Sequence, residues 1–222
     1  MATRRLLGDL VAAFSATRPA VDVVVESMGG VDAAKQVAAG EPFDGVVLAA
    51  GAIDQLIAQG HVVGGRIDVV RSPMAVAVRS GEARPDIATA DAVRQSVRSA
   101  RRIGYSTGPS GDHLLALLER WGITAEVRDR LVQARPGVPV ASLVASGDVD
   151  LGFQQLSELL NVDGVNVVGL LPDAIQGTTT FSGGITRAST HAAATREFLA
   201  FIASPAVAEI KRSHGMEPAQ PV

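Results

Sequence analysis

The hydrophobic positions of this chain change period repeatedly, and each change marks an element. Leu6, Leu7, Leu10, Val11 and Phe14 recur at helical spacing and predict an amphipathic helix over residues 3–17. The β-branched run over 21–25 predicts a buried strand. Ser27-Met28-Gly29-Gly30 breaks that run and leads into a helix over 31–39, where Gly40 suits the left-handed position that ends it. Val46, Val47 and Leu48 predict a second buried strand, followed by a helix over 52–59 and a stop at Gly60. Helix and strand thus alternate, an order whose natural packing is a parallel α/β layer.

The alternation continues. A strand is predicted over 74–78, punctuation at Arg84-Pro85-Asp86, and a polar-faced helix over 90–100. A short strand at Ile103-Gly104-Tyr105 then runs into Ser106-Thr107-Gly108-Pro109-Ser110-Gly111, with a helix from Pro109 through Leu118. Residues 125–131 read as a short helix, Arg135-Pro136-Gly137 as a loop, and 138–146 as a helix closed by Gly147. Strands follow over 149–153 and 165–170, with Gln154 and Gln155 directly after the first. The alternating run over 178–185 reads as a strand, and 192–203 and 206–213 as helices, Pro205 opening the second. The tail from Glu217 reads as loose. No repeat, low-complexity segment or flexible linker interrupts the chain.

Composition narrows the function classes. The chain has 222 residues, 47% of them hydrophobic, enough for a sizeable core or two lobes of about 100 residues each. The net charge of -3 gives no basic field for nucleic acid, and 4% aromatic content removes most stacking platforms for bases. The absence of cysteine excludes disulfides, thiolate catalysis and cysteine-ligated metals. No apolar run approaches ~20 residues, so no membrane insertion is expected. The start is amphipathic and does not read as a signal peptide. The expected location is cytoplasmic if the chain is complete, and periplasmic if its start has been trimmed.

The strand–loop–helix at 103–118 aims backbone N–H groups, the hydroxyls of Ser106, Thr107 and Ser110, and a positive helix end at one spot near Gly111. That is an anion site that needs no metal. The same design recurs at Ser27, Gly29 and Gly30, at Gln154-Gln155 before Leu156, and at Gly137 in the loop before residue 138. In open parallel sheets such loops gather at the carboxyl ends of strands. Gln155 is placed to donate to an oxyanion. Thr3 and Arg4 open the first helix, where Arg4 and Arg5 offer charge-assisted contacts to a carboxylate. His61, His113, His191 and His214 lack metal-ligand spacing, so no metal is expected. No dinucleotide or P-loop motif is present, and no cofactor is expected. His113, Asp112 and Glu158 are either solvated helix residues or acid–base groups near a ligand, and both readings stay open.

Three stretches then carry a resemblance: Ala38-Ala39-Gly40-Glu41-Pro42-Phe43-Asp44-Gly45-Val46-Val47, Ile103 to Gly111 as quoted above, and Ser146-Gly147-Asp148-Val149-Asp150-Leu151-Gly152-Phe153-Gln154-Gln155. The ending Phe201-Ile202-Ala203-Ser204-Pro205-Ala206 through Gly215-Met216 belongs with them. The chain resembles the bacterial extracellular solute-binding proteins of the molybdate-binding type, a branch of the type II periplasmic-binding-protein fold. It is also similar to a subgroup that includes aconitate isomerase. The resemblance implies an α/β protein of two lobes joined by two crossing strands, with a ligand cleft between them and hinge closure around the ligand. Lobe one would be residues 1–72 plus 184–222 and lobe two 73–183. The family's first strand would precede Met1. Two ligand positions of the molybdate pattern are replaced, a serine by Gly30 and a tyrosine by Gln155.

Two functions follow from this. One is a monomeric solute-binding protein for a small oxyanion or organic carboxylate, serving an ABC permease. The other is an allylic isomerase of a small di- or tricarboxylate, with His113 and Glu158 as its catalytic groups.

Overall fold

The structure is a computed structural model and describes residues 2–219. Its contacts divide the chain into two units: Met1–Ser72 with Thr180–Val222, and Pro73–Thr179. The first unit holds α1 (Arg4–Thr17), α2 (Gly30–Ala38), β1 (Gly45–Ala49), α3 (Ala50–Ala58) and the start of β2 (Val62–Arg79). The second holds the rest of β2, then α4 (Ala90–Ser99), β3 (Ile103–Tyr105), α5 (Pro109–Arg120), α6 (Thr124–Val127), β4 (Leu131–Gln133), α7 (Val140–Ser146), β5 (Leu151–Gln155), α8 (Leu156–Leu159), β6 (Val165–Leu170) and the start of β7 (Thr178–Thr186). The chain then returns to the first unit for α9 (Ala192–Ala203), α10 (Ala208–Ser213) and β8 (Glu217–Pro218).

In the first unit the apolar stripe of α1 does what its spacing predicts. Leu6, Leu7, Leu10 and Phe14 are buried, and the Phe14 ring meets Phe198 of α9 edge-on with centroids 5.2 Å apart. Burying one such side chain contributes roughly 1.5–3 kcal/mol. β1 runs antiparallel to β7, with Gly45 opposite Ile185 and Ala49 opposite Phe181. Val46 and Leu48 pack with Val37, Ile53 and Leu56. Val47 and Ala49 join the cluster of α1 and α9 on the other face. Gly184 admits Val62, whose Cγ1 would lie 2.6 Å from a Cβ at that position.

In the second unit β2 pairs antiparallel with β5 on one side and β6 on the other, while β3 lies parallel to both β5 and β4. Met74, Val76, Val78, Leu114, Leu118 and Phe153 build the core between this sheet and α4 and α5. Thr89 caps α4 by accepting the Ala92 N–H at 3.1 Å. A Cβ at Gly104 would lie 2.9 Å from Val149, so glycine permits that close approach.

Several sequence expectations are corrected. The run over 21–25 forms no strand, and Val24 is 81% exposed. Among the described residues β1 pairs with β7 and no strand pairs with the 21–25 segment, whose Val21 N–H turns back to the Arg18 carbonyl at 3.0 Å, so its apolar character alone does not make it a strand. The expected parallel layering of the first 60 residues is not seen among the described residues, where β1 runs antiparallel to β7 and β2 antiparallel to β8. The strand expected over 74–78 is the second half of the long β2, whose first half carries Gly64 and Gly65 at positive φ and so hides its pattern. The helix expected over 125–131 is the single turn of α6, a 3-10 turn at Arg128–Arg130 and then β4, three residues being too few to show a period. Gln154 and Gln155 lie inside β5, not after it. The tail is not loose at its start: Arg71 pairs with Glu217 and Val70 with Pro218. Residues 220–222 lie outside the described residues.

Candidate functional site

The parallel strands of the second unit bring their carboxyl ends to one edge. Ile103 is level with Leu131 of β4 and with Leu151 of β5. Gln155 therefore stands as far beyond Leu151 as Thr107 stands beyond Ile103. The loop of Gly137 leaves the same edge after β4. Positive φ at Gly137 makes that turn, and Val138 N–H closes it on Arg135 O at 2.9 Å.

The turn from β3 into α5 is built from its own hydroxyls. The Gly108 N–H donates to Ser106 Oγ at 3.2 Å, and Ser106 Oγ shares a hydrogen bond with Ser110 Oγ at 2.9 Å. Gly111 N–H returns to Gly108 O at 2.8 Å. Pro109 opens the helix, where its missing N–H costs nothing and its fixed φ fits. Ser110 and Gly111 are buried, Ser106 is half-buried and Thr107 is exposed. The arrangement concentrates hydroxyls and a helix start at one place without a cation.

β5 supplies two buried amides on opposite faces, as strand alternation requires. Gln155 shares the face of Leu151 and Phe153, on which α5 packs. Its Nε2 donates to Thr179 Oγ1 at 2.7 Å, and its Oε1 has no hydrogen-bond partner. Gln154 lies on the other face, with its Oε1 also unpartnered, as is Ser157 Oγ in α8. Unpaired buried polar atoms of this kind are rare in folded chains. Glu158 is half-buried; burial pushes its carboxyl above the ordinary range, and a hydrogen bond from Gln154 opposes that shift.

The remaining candidates lie on other elements. His113 Nε2 donates to the Ile175 carbonyl at 2.8 Å, and its ring packs on Gly177, where a Cβ would lie 2.6 Å from it. That bond fixes the Nε2–H tautomer and ties α5 to the segment before β7. Asp112 is exposed in the first turn of α5. Thr3, Arg4, Ser27, Gly29 and Gly30 belong to the first unit. Thr3 is buried and its carbonyl accepts from Leu7; Arg4 and Ser27 are exposed; Gly29 precedes α2, and Gly30 opens it against Leu48. Among the described residues no three His, Asp or Glu side chains gather as metal ligands, and no helix is long and apolar enough to cross a membrane. Thr179 escaped the sequence reading. A threonine in an alternating run gives no sign that a glutamine 24 positions away in sequence will bond to it.

Residues 1–217 match the family described as bacterial extracellular solute-binding protein. A relative, aconitate isomerase from Pseudomonas sp, is 38% identical over 203 residues, covering 88% of this chain and 76% of its own length. Among solved structures, the periplasmic molybdate-binding protein of Azotobacter vinelandii superposes with a TM-score of 0.80 at 20% identity, over 98% of this chain and 96% of that one. The tungstate ABC transporter protein of Geobacter sulfurreducens superposes at 0.73 with 18% identity, over 94% and 92%. At such identities the structural likeness establishes the fold alone. Together these findings place the chain in the bacterial extracellular solute-binding protein family, with a type II periplasmic-binding-protein-like fold.

Proposed function

We propose that this protein binds a small anion, an organic carboxylate in preference to a tetrahedral oxyanion, at the carboxyl edge of β3, β4 and β5. The observation that carries the reading is the hydroxyl-rich turn of Ser106, Thr107 and Ser110 at the start of α5, level with which the buried amide of Gln155 stands with its Oε1 free to accept a ligand hydroxyl. Neutral donors and a helix start stabilise an anion reversibly, without a fixed counter-ion. The 38% identity to aconitate isomerase favours a di- or tricarboxylate. Family membership supports a periplasmic role serving an ABC permease.

Thermal unfolding with molybdate, tungstate, sulfate, phosphate, citrate, cis-aconitate and trans-aconitate tests the reading. A ligand at 100 times its Kd adds about 2.7 kcal/mol. Stabilisation by the carboxylates supports it; stabilisation by the tetrahedral oxyanions alone overturns the carboxylate preference.

A second reading has its own support in the isomerase relative and in the raised carboxyl of Glu158. A base would take a proton from the carbon beside the double bond, the electron pair would shift by one position, and a proton would return at the far alkene carbon. Glu158 suits the proton-returning role because burial keeps it protonated to a higher pH than an ordinary glutamate. Interconversion of cis- and trans-aconitate, followed by proton NMR, tests it. No exchange at high enzyme concentration overturns the isomerase and leaves the binding protein.

A further inference from the structure

Gln155 is 3% exposed, with one end of its amide bonded and the other unpaired. The bonded end is Nε2, which donates to Thr179 Oγ1 at 2.7 Å. Thr179 is the second residue of β7, and Gln155 is held opposite Met74 of β2. The backbone of Met74 is in turn clamped: its N–H donates to Gln176 Oε1 at 2.9 Å, and its carbonyl accepts from Gln176 Nε2 at 3.2 Å. The strand positions that carry Gln155 and Thr179 are therefore fixed, while the amide itself retains one rotational choice.

A half-turn of a glutamine amide exchanges Oε1 and Nε2 with almost no change of shape. A threonine hydroxyl both donates and accepts. With Nε2 toward Thr179, Oε1 is left to accept a ligand O–H. After the half-turn, the Thr179 hydroxyl donates to Oε1, and Nε2 is left to donate to a ligand carboxylate. A valine at position 179 would hold neither orientation.

We propose that Gln155 sets the ligand scope of the site by meeting either a hydroxyl or a carboxylate of a polycarboxylic acid, and that Thr179 is the positioning residue that serves both orientations. The inference rests on the carboxylate reading above. It makes the ligand class polycarboxylates with or without a hydroxyl, taken by one residue without a second subsite.

Citrate and tricarballylate share one tricarboxylate skeleton and differ by a hydroxyl, so calorimetric titration of the full chain with each is the test. The wild type binds both within about tenfold of one another. Gln155→Met and Thr179→Val each weaken both ligands by about tenfold, the size of one lost hydrogen bond, and Thr179→Ser restores both. A wild type that separates the two ligands by more than a hundredfold, or a folded Thr179→Val that binds as the wild type does, overturns the inference and leaves the carboxylate reading standing. Binding of neither ligand overturns both. Should Thr179→Val fail to fold, the side-chain amide resonances of Gln155 in 15N-labelled wild type decide: they shift on adding tricarballylate, and unchanged resonances at saturation overturn the inference.

Discussion

Gly111 lies so close beneath Ser106 that a Cβ on it would sit well under 3.0 Å from the Ser106 carbonyl oxygen. Backbone meets backbone there, and no side-chain rotation relieves the clash. The glycine is required by the approach of α5 to the end of β3, not by an unusual φ. The expected outcome of Gly111→Ala is displacement of the Ser106 turn, a loss of roughly 1–3 kcal/mol of stability and loss of ligand stabilisation. Gly108→Ala is the control, because its nearest neighbour is Ser106 Oγ at 3.8 Å. Urea unfolding of both variants, with and without ligand, checks the pair.

Glu158 gives a pH-dependent prediction. Burial raises its folded pKa above the unfolded value near 4.5. The folded state then holds the proton longer than the unfolded state, so this group penalises folding progressively as pH rises through that window. Glu158→Gln removes the penalty. The variant is expected to gain stability at neutral pH relative to the wild type and to lose the difference below pH 4.5. Under the isomerase reading it also loses turnover while keeping aconitate binding. Melting curves across pH and an aconitate titration read these effects separately.

His113 is expected to matter for structure before chemistry. Its bond to the Ile175 carbonyl is the tie between α5 and the segment before β7. His113→Ala leaves that carbonyl unpaired and is expected to cost about 1 kcal/mol. Faster amide exchange at residues 173–177, measured by mass spectrometry, checks it. A variant as protected as the wild type there would show that the contact carries no load.

Lys211 is a buried amine outside the candidate site. It is fully buried in α10 and its Nζ has no partner. Burial holds its pKa down at about 8, against 10.5 for a solvated lysine. Between those values the unfolded chain binds the extra proton, so stability should rise with pH through that window, the penalty being complete below about 8. Lys211→Met is expected to stabilise the protein at pH 7 by as much as ~3 kcal/mol and to abolish the alkaline rise. Thermal melts from pH 7 to 10 measure both.

Val24 and Val23 separate on the extended segment that forms no strand. Val24 is 81% exposed, whereas Val23 packs against the cluster of α1 and α9. Val24→Lys is expected within about 0.5 kcal/mol of wild type, and Val23→Lys to be clearly destabilising, as unfolding midpoints will show.

Local pattern alone determined much of this protein. The stripe from Leu6 to Phe14 marked α1, and Gly60 and Gly147 marked helix ends at positive φ, because side-chain spacing and glycine's conformational freedom are local properties. The turn from Ser106 to Gly111 was legible for the same reason: its hydroxyls, its proline and its glycines all lie within one short stretch. Tertiary structure decided what depends on partners distant in sequence. Residues 21–25 have the composition of a strand, yet a strand exists only where a neighbour takes its backbone hydrogen bonds. β4 is too short to announce itself and is defined by its register with β3. The bond between Gln155 and Thr179 exists because β5 and β7 both leave the sheet beside β2, and no spacing along the chain encodes that meeting.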